Sequence, residues 1–269
     1  MTDDDDLFDL LIRAIEEGDS DLSLTLARKL EPRAANPEDI LIIAAGYIDG
    51  GDPTRALKLL GNLDGIPLEP QNEMQYWMMV GEVNYILGNP EEALVVFSRV
   101  SPINSSDEAD LHWWRGLCHD HIGDRARAEL CFQKGTETDP GLPSPAIISE
   151  KEAFELVGEV IAELPDAIRK ELDEVPVVIE DLPPLEVIRS SLGEVHPDIL
   201  GLYTGQSLQE RSWLDAGWAP SSIHIFRRNL ERATLDEDQL REEIRITLLH
   251  ELGHHFGLDE EDLDQLGLA

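Results

Sequence analysis

The chain has 269 residues and is 42% hydrophobic, enough for two folded regions with separate cores and too apolar for a disordered chain. It carries 56 acidic against 21 basic residues, a net charge of −35. A surface that negative repels phosphate backbones and anionic lipids, so nucleic-acid and membrane roles are disfavoured, whereas solubility and basic peptides are suited. The N-terminus reads MTDDDD, the opposite of a basic, apolar leader, and no apolar run reaches the length of a membrane span, so a cytoplasmic setting is expected.

The first half is repetitive. Glycines at 18, 51, 88 and 123 open the segments GDSDLSLTLA, GDPTRALKLL, GNPEEALVVF and GDRARAELCF, at intervals of 33, 37 and 35 residues by subtraction. Five residues beyond each glycine stands a small residue (Ser23, Ala56, Ala93, Ala128), and nine beyond stands Ala27, Leu60, Phe97 or Phe132. One helix pair cannot bury its apolar face alone, but stacked pairs can, with the small residue allowing close approach. The pattern resembles the tetratricopeptide repeat, and Trp77 and Gly81 in the third copy and Gly116 and Pro140 in the fourth strengthen the likeness. The first copy reads as a cap. The resemblance implies an all-α array over 1–140 that presents a groove to a peptide or partner protein.

Within that array Trp77, Trp113, Trp114, Phe97 and Phe132 are expected in the core before they are ligand contacts. His112, His119 and His121 form a local cluster, but no carboxylate or thiol completes a ligand pattern at helical spacing, so packing or surface roles are expected. Cys118 and Cys131 match no zinc or redox spacing and read as buried thiols.

Gly141-Leu142-Pro143-Ser144-Pro145 breaks the periodicity and marks a linker over 141–149. A helix is expected from about 150 to Leu172, bent or split at Pro165. Val175 to Asp181 reads as a strand closed by Pro183-Pro184, and Leu185 to Ser191 as a short helix. Turn signals follow at Pro197 and Gly201, and Tyr203-Thr204-Gly205-Gln206 suggests a hairpin or loop edge. Ile223 and Ile225 alternate with His224 and Phe226, so this strand packs one side and its other side is expected to border a cleft.

Thr234-Leu235-Asp236-Glu237 has the form of a capping box, and Leu240, Ile244, Ile246 and Leu248 lead a helix into His250-Glu251-Leu252-Gly253-His254. Gly257 stands where such a helix should stop. His250 and His254, four apart, project from one helix face, the spacing that lets two imidazoles hold one zinc ion. Glu251, one position round, is placed to act on water beside the metal as a general base; this is the HExxH signature of zinc hydrolases. A third ligand is required. The oxygen candidates are Asp259, Glu260, Glu261 and Asp262, and Glu260 is preferred because it lies ten residues after His250, the offset of the third ligand in HExxHxxGxxH.

His250 to Glu260 therefore reads HExxHxxGxxE, which resembles the minimal zincin-like metallopeptidases. FELVGEVIAELPDAIRKEL, VPVVIEDLPP, LGLYTGQSLQERS and SSIHIFRRNL extend the likeness over about 150–269. The resemblance implies a small α+β zincin-like domain over 150–269, Zn2+ held by His250, His254 and Glu260, catalytic Glu251, and an edge strand that aligns an extended peptide. Met79 is the last methionine, so no Met-turn follows the motif and vigorous proteolysis does not follow from the likeness. His224, Tyr203, Arg227 and His255 are candidates for oxyanion stabilisation, against readings of Arg227 and Arg228 as solvated charges and of His255 as a surface residue. The expectation is a cytoplasmic zinc metallopeptidase whose repeats recruit a substrate or regulator. The alternative is a catalytically quiet interaction module with a metal-stabilised zincin-like domain.

Overall fold

The computed structural model describes residues 3–142, 148–172, 175–205 and 221–266. By their contacts the residues form two units, Met1–Leu142 with Pro184–Pro197, and Pro143–Pro183 with Asp198–Ala269.

The first unit holds α1 (Asp3–Glu17), α2 (Ser20–Leu30), α3 (Pro37–Asp49), α4 (Pro53–Leu60), α5 (Pro70–Ile86), α6 (Pro90–Phe97), α7 (Ser105–His121) and α8 (Arg125–Thr138). Consecutive helices pack in pairs, and α3 and α4 pack on α5 as α6 packs on α7. One turn is used four times. Gly18, Gly51, Gly88 and Gly123 have φ of 71, 73, 77 and 78°, a left-handed conformation that glycine adopts without a Cβ penalty. The next amide reaches back five residues, as in Asp52 N–H to Tyr47 O at 2.8 Å and Asp124 N–H to His119 O at 2.9 Å, closing the preceding helix. The side chains of Asp19, Asp52 and Asp124 then accept from the amides of Leu22, Arg55 and Arg127 and open the next helix. A Gly-Asx pair thus ends one helix and starts another.

Two glycines set how closely the pairs approach. A Cβ on Gly81 would lie 2.3 Å from the Phe97 ring, and one on Gly116 would lie 2.5 Å from that of Phe132. Both rings are buried, and Trp77, Trp113 and Trp114 pack against the same cores from half-buried positions. Cys118 is fully buried, and burial pushes its thiol far above the usual range. Cys131 is only half-buried, contrary to the sequence expectation, because it lies on a more open part of α8. His121 Nδ1 lies 3.0 Å from the Tyr85 hydroxyl, and burial lowers the pKa of both His112 and His119. Among the described residues these histidines join no group able to hold a metal.

The second unit holds α9 (Glu150–Glu163), α10 (Asp166–Leu172), β1 (Val177–Glu180), β2 (Gly201–Thr204), β3 (Ser222–Phe226), α12 (Arg227–Ala233), α13 (Glu237–Phe256) and α14 (Glu260–Gln265). The helix between β1 and β2, α11 (Leu185–Ser191), belongs to the first unit, although the sequence grouped it with the second. Residues 143–147, most of the linker, and the Gln206–Ser212 part of LGLYTGQSLQERS lie outside the described residues.

The sheet has the order β1-β3-β2, with β1 parallel and β2 antiparallel to β3. Alternation puts Ile223 and Ile225 in one core with Leu240, Ile244, Leu248 and Leu252 of α13. His224 therefore faces away from α13. On that opposite face His224 Nδ1 lies 2.7 Å from Glu180 Oε2, and its Nε2 lies 3.0 Å from Ser222 Oγ. This side of β3, which also carries the fully buried Phe226, is tied to β1 through Glu180 and faces away from the motif helix. The start of α13 also differs from expectation. Its cap is Asp236, which accepts from the Gln239 amide at 2.9 Å, while Thr234 is buried and donates its hydroxyl to Leu230 O at the end of α12. Among the described residues no helix is long and apolar enough to cross a membrane.

Candidate metal centre

Helix α13 carries the motif on its last two turns and stops at Gly257, whose φ is 83°. The Gly257 amide bonds His254 O, and the Leu258 amide bonds Gly253 O at 3.1 Å, so the chain doubles back. Helix α14 then lays Leu263, which is fully buried, on Gly253; a Cβ there would come within 2.4 Å of it. The glycine just before His254 is thus the seat of the returning tail.

His250 and His254 converge, with their Nε2 atoms 3.0 Å apart. Two nitrogens about 2.0–2.1 Å from one tetrahedral zinc ion stand roughly 3.3 Å apart, so the pair fits such an ion. His254 Nδ1 lies 3.2 Å from Leu258 O, which favours the tautomer that leaves Nε2 as the ligand atom. The same turn that reverses the chain therefore orients the second histidine. Among the described residues no third His, Cys, Asp or Glu completes the pair. Asp259 and Asp262 are exposed, and each accepts the other's backbone amide, at 3.0 Å for Asp259 Oδ1 and 3.4 Å for Asp262 Oδ2. Glu260 is the first residue of α14, and its side chain and that of Glu261 lie outside the described residues.

Glu251 is buried, and its Oε2 accepts the Tyr203 amide of β2 at 2.7 Å. Gly201 permits this approach: a Cβ there would lie 2.6 Å from Thr247 Cγ2 and 2.9 Å from Glu251 Oε1. Four residues on, His255 is also buried, against the expectation of a surface residue, and its Nδ1 lies 3.0 Å from the Tyr203 hydroxyl. That hydroxyl donates to Ser221 Oγ at 2.9 Å. Tyr203 therefore engages Glu251 through its backbone and His255 through its phenol. It runs along the row of α13 next to the one that carries His250 and His254.

The remaining oxyanion candidates stand elsewhere. His224 is on the far face of the sheet. Arg227 and Arg228 are buried, not solvated, because Glu231 accepts from both, at 2.6 Å and 2.9 Å, while Arg227 also pairs with Asp181. These ions join the end of β1 to α12 and are committed to that structural junction. Sequence reading missed the hold of Tyr203 N–H on Glu251; the glycine pair flanking Tyr203 in LGLYTG was its only local trace.

Residues 172–268 match the model of the zincin-like metallopeptidase family. The matched stretch starts at Leu172, so it leaves out α9, and it contains both histidines, Glu251 and the whole sheet. No curated protein matches the chain.

Proposed function

We propose that the C-terminal unit is a zinc-dependent metallopeptidase module acting in the cytoplasm, and that the N-terminal helices are tetratricopeptide-like repeats serving it. The observation that carries this reading is the convergence of His250 and His254 Nε2 at 3.0 Å beside a buried, backbone-held Glu251. His250 and His254 would hold the zinc, with Glu260 as third ligand. The engagement of Asp259 and Asp262 in capping α14 supports that choice, as does the reversal at Gly257.

A bound zinc ion supplies Lewis acidity, which polarises a carbonyl and makes water a better nucleophile at neutral pH. The chain's own residues do the rest. Glu251 takes the proton from the attacking water and passes it to the leaving amine. The Tyr203 amide fixes its carboxylate, so it needs no reorientation as the proton moves. The Tyr203 hydroxyl gives its proton to Ser221 Oγ, so it would serve a developing oxyanion only by exchanging that partner.

The Tyr203 amide bond also favours a second reading, in which Glu251 only ties β2 to α13 and the module binds without cutting. A peptide library incubated with zinc-loaded protein separates the two, with Glu251→Ala as the blank. Cleavage by the wild type alone, with zinc retained by the variant, supports the peptidase. Equal cleavage by both sinks the assigned mechanism, and cleavage by neither supports the binding module.

A further inference from the structure

The connection from β1 to β2 leaves its own unit: Pro184–Pro197 pack with the helices of the first. Their contacts fall on the turn edge of the array. Ile188 of α11 is fully buried. Arg189 donates Nε to Gly88 O at 2.8 Å, and its Nη2 stands 4.0 Å from Glu91 Oε2. A Cβ on Gly88 would lie 2.9 Å from Arg189 Cγ and 3.2 Å from Ile188 Cγ2. The bare turn is thus the floor on which this pair rests. Further along, Gly193 has φ of 104° and lies so close to Pro53 that a Cβ would reach 2.5 Å from its Cγ. The segment therefore reads two successive turns of the array, Gly51-Asp52-Pro53 and Gly88-Asn89-Pro90.

The chemistry of this contact is that of peptide recognition. An aliphatic side chain is buried, and a cationic neighbour is read by a turn carbonyl and a carboxylate. The charge match is local: Arg189 is the segment's one arginine and stands beside Glu91, while Glu186 and Glu194 leave the segment without net positive charge. We propose that the turn edge of the array is a peptide-binding surface held in cis by residues 184–197, and that in trans it takes a partner helix presenting an adjacent aliphatic–arginine pair. The array then discriminates between a segment of its own chain and a partner of the same chemistry. This inference stands apart from the peptidase reading and needs no hydrolysis to be tested.

The test uses full-length protein, a fluorescent peptide of sequence PLEVIRSSLGEVHP, and an Ile188→Asp/Arg189→Glu variant. Amide exchange over 185–197 reports whether the cis segment has left, and fluorescence anisotropy reports peptide binding. Exchange over 185–191 is expected to quicken at least tenfold in the variant, which then binds the peptide at least tenfold more tightly than wild type does. Glu91→Lys added to the variant should weaken that binding, and a melting curve for each protein checks that the helices remain folded. The proposal is overturned if exchange does not change, if the segment is released but the peptide does not bind, or if wild type and variant bind it alike.

Discussion

Both units bring elements together over a glycine, yet to different ends. In the array, Gly81 and Gly116 stand 35 residues apart by subtraction, and each receives a phenylalanine ring, Phe97 or Phe132. The contact is apolar, repeated and made within one helix pair. In the second unit Gly201 admits the Glu251 carboxylate, and Gly253 admits Leu263 of the returning tail. Those contacts occur once each and position Glu251 and the turn after His254, to which the proposed chemistry is assigned. The same absence of a Cβ thus serves stacking in one region and siting in the other, so substitution should separate stability from activity.

The largest effect is expected at Glu251. Glu251→Ala should lower hydrolysis by about 10²–10⁴-fold, the usual worth of a positioned acid–base group, while zinc content measured on the purified protein stays at the wild-type level. His250→Ala should lose both. Gly201→Val should lower kcat about 10²-fold, because misplacing a reacting group by about 1 Å has that consequence. Gly116→Val, its counterpart in the array, should cost about 1–3 kcal/mol of stability in denaturant titration by overpacking against Phe132, with hydrolysis per folded molecule unchanged. If Gly116→Val silenced hydrolysis without unfolding, the division between the two kinds of glycine would fail.

A smaller effect is expected at Glu82 of α5, whose carboxyl burial pushes from its ordinary 4.5 up to about 7, against an opposing pull from His196. Between those two pH values the folded state binds more protons than the unfolded one, so stability present at acid pH is lost as pH rises towards 7. Glu82→Gln should remove that slope and stabilise the array at pH 8 by about 1–2 kcal/mol, allowing for partial solvent exposure. Parallel melts at pH 5 and pH 8 would show it. The smallest effect is expected at Arg241, whose pairs with Glu159 and Glu163 at 2.6 and 3.5 Å are largely solvated. Arg241→Ala should lower the melting temperature only slightly, and less still in high salt.

What could be read from sequence was what depends on residues near one another in the chain. Histidines four apart share a helix face in any helix, and Gly257 ends α13 because its local geometry demands it. The turn glycines at 18, 51, 88 and 123 were likewise visible. Contacts between distant residues were not. The amide holding Glu251 belongs to Tyr203, 48 residues earlier. Arg227 reads as a surface charge until Asp181, 46 residues away, and Glu231 enclose it. The α13 cap fell to Asp236 because Thr234 was already closing α12. Nothing local in Leu185–Ser191 announces that this helix packs with the array; Ile188 and Arg189 acquire that meaning only from Gly88.

The strand order β1-β3-β2 has a consequence for how the protein comes into being. Val177 of β1 pairs with Ile223 of β3, 46 residues later by subtraction, so the middle of the sheet is the last of its strands to leave the ribosome. Each helix pair of the array closes over short loops, and such local structure forms fast, whereas a pairing of long sequence separation must first meet its loop-closure entropy. During synthesis the array can be complete while β1 and β2 still wait as unpaired edges. Glu251 lies later still, on α13, so it can meet the Tyr203 amide only after that helix has followed β3 out and packed on the completed sheet.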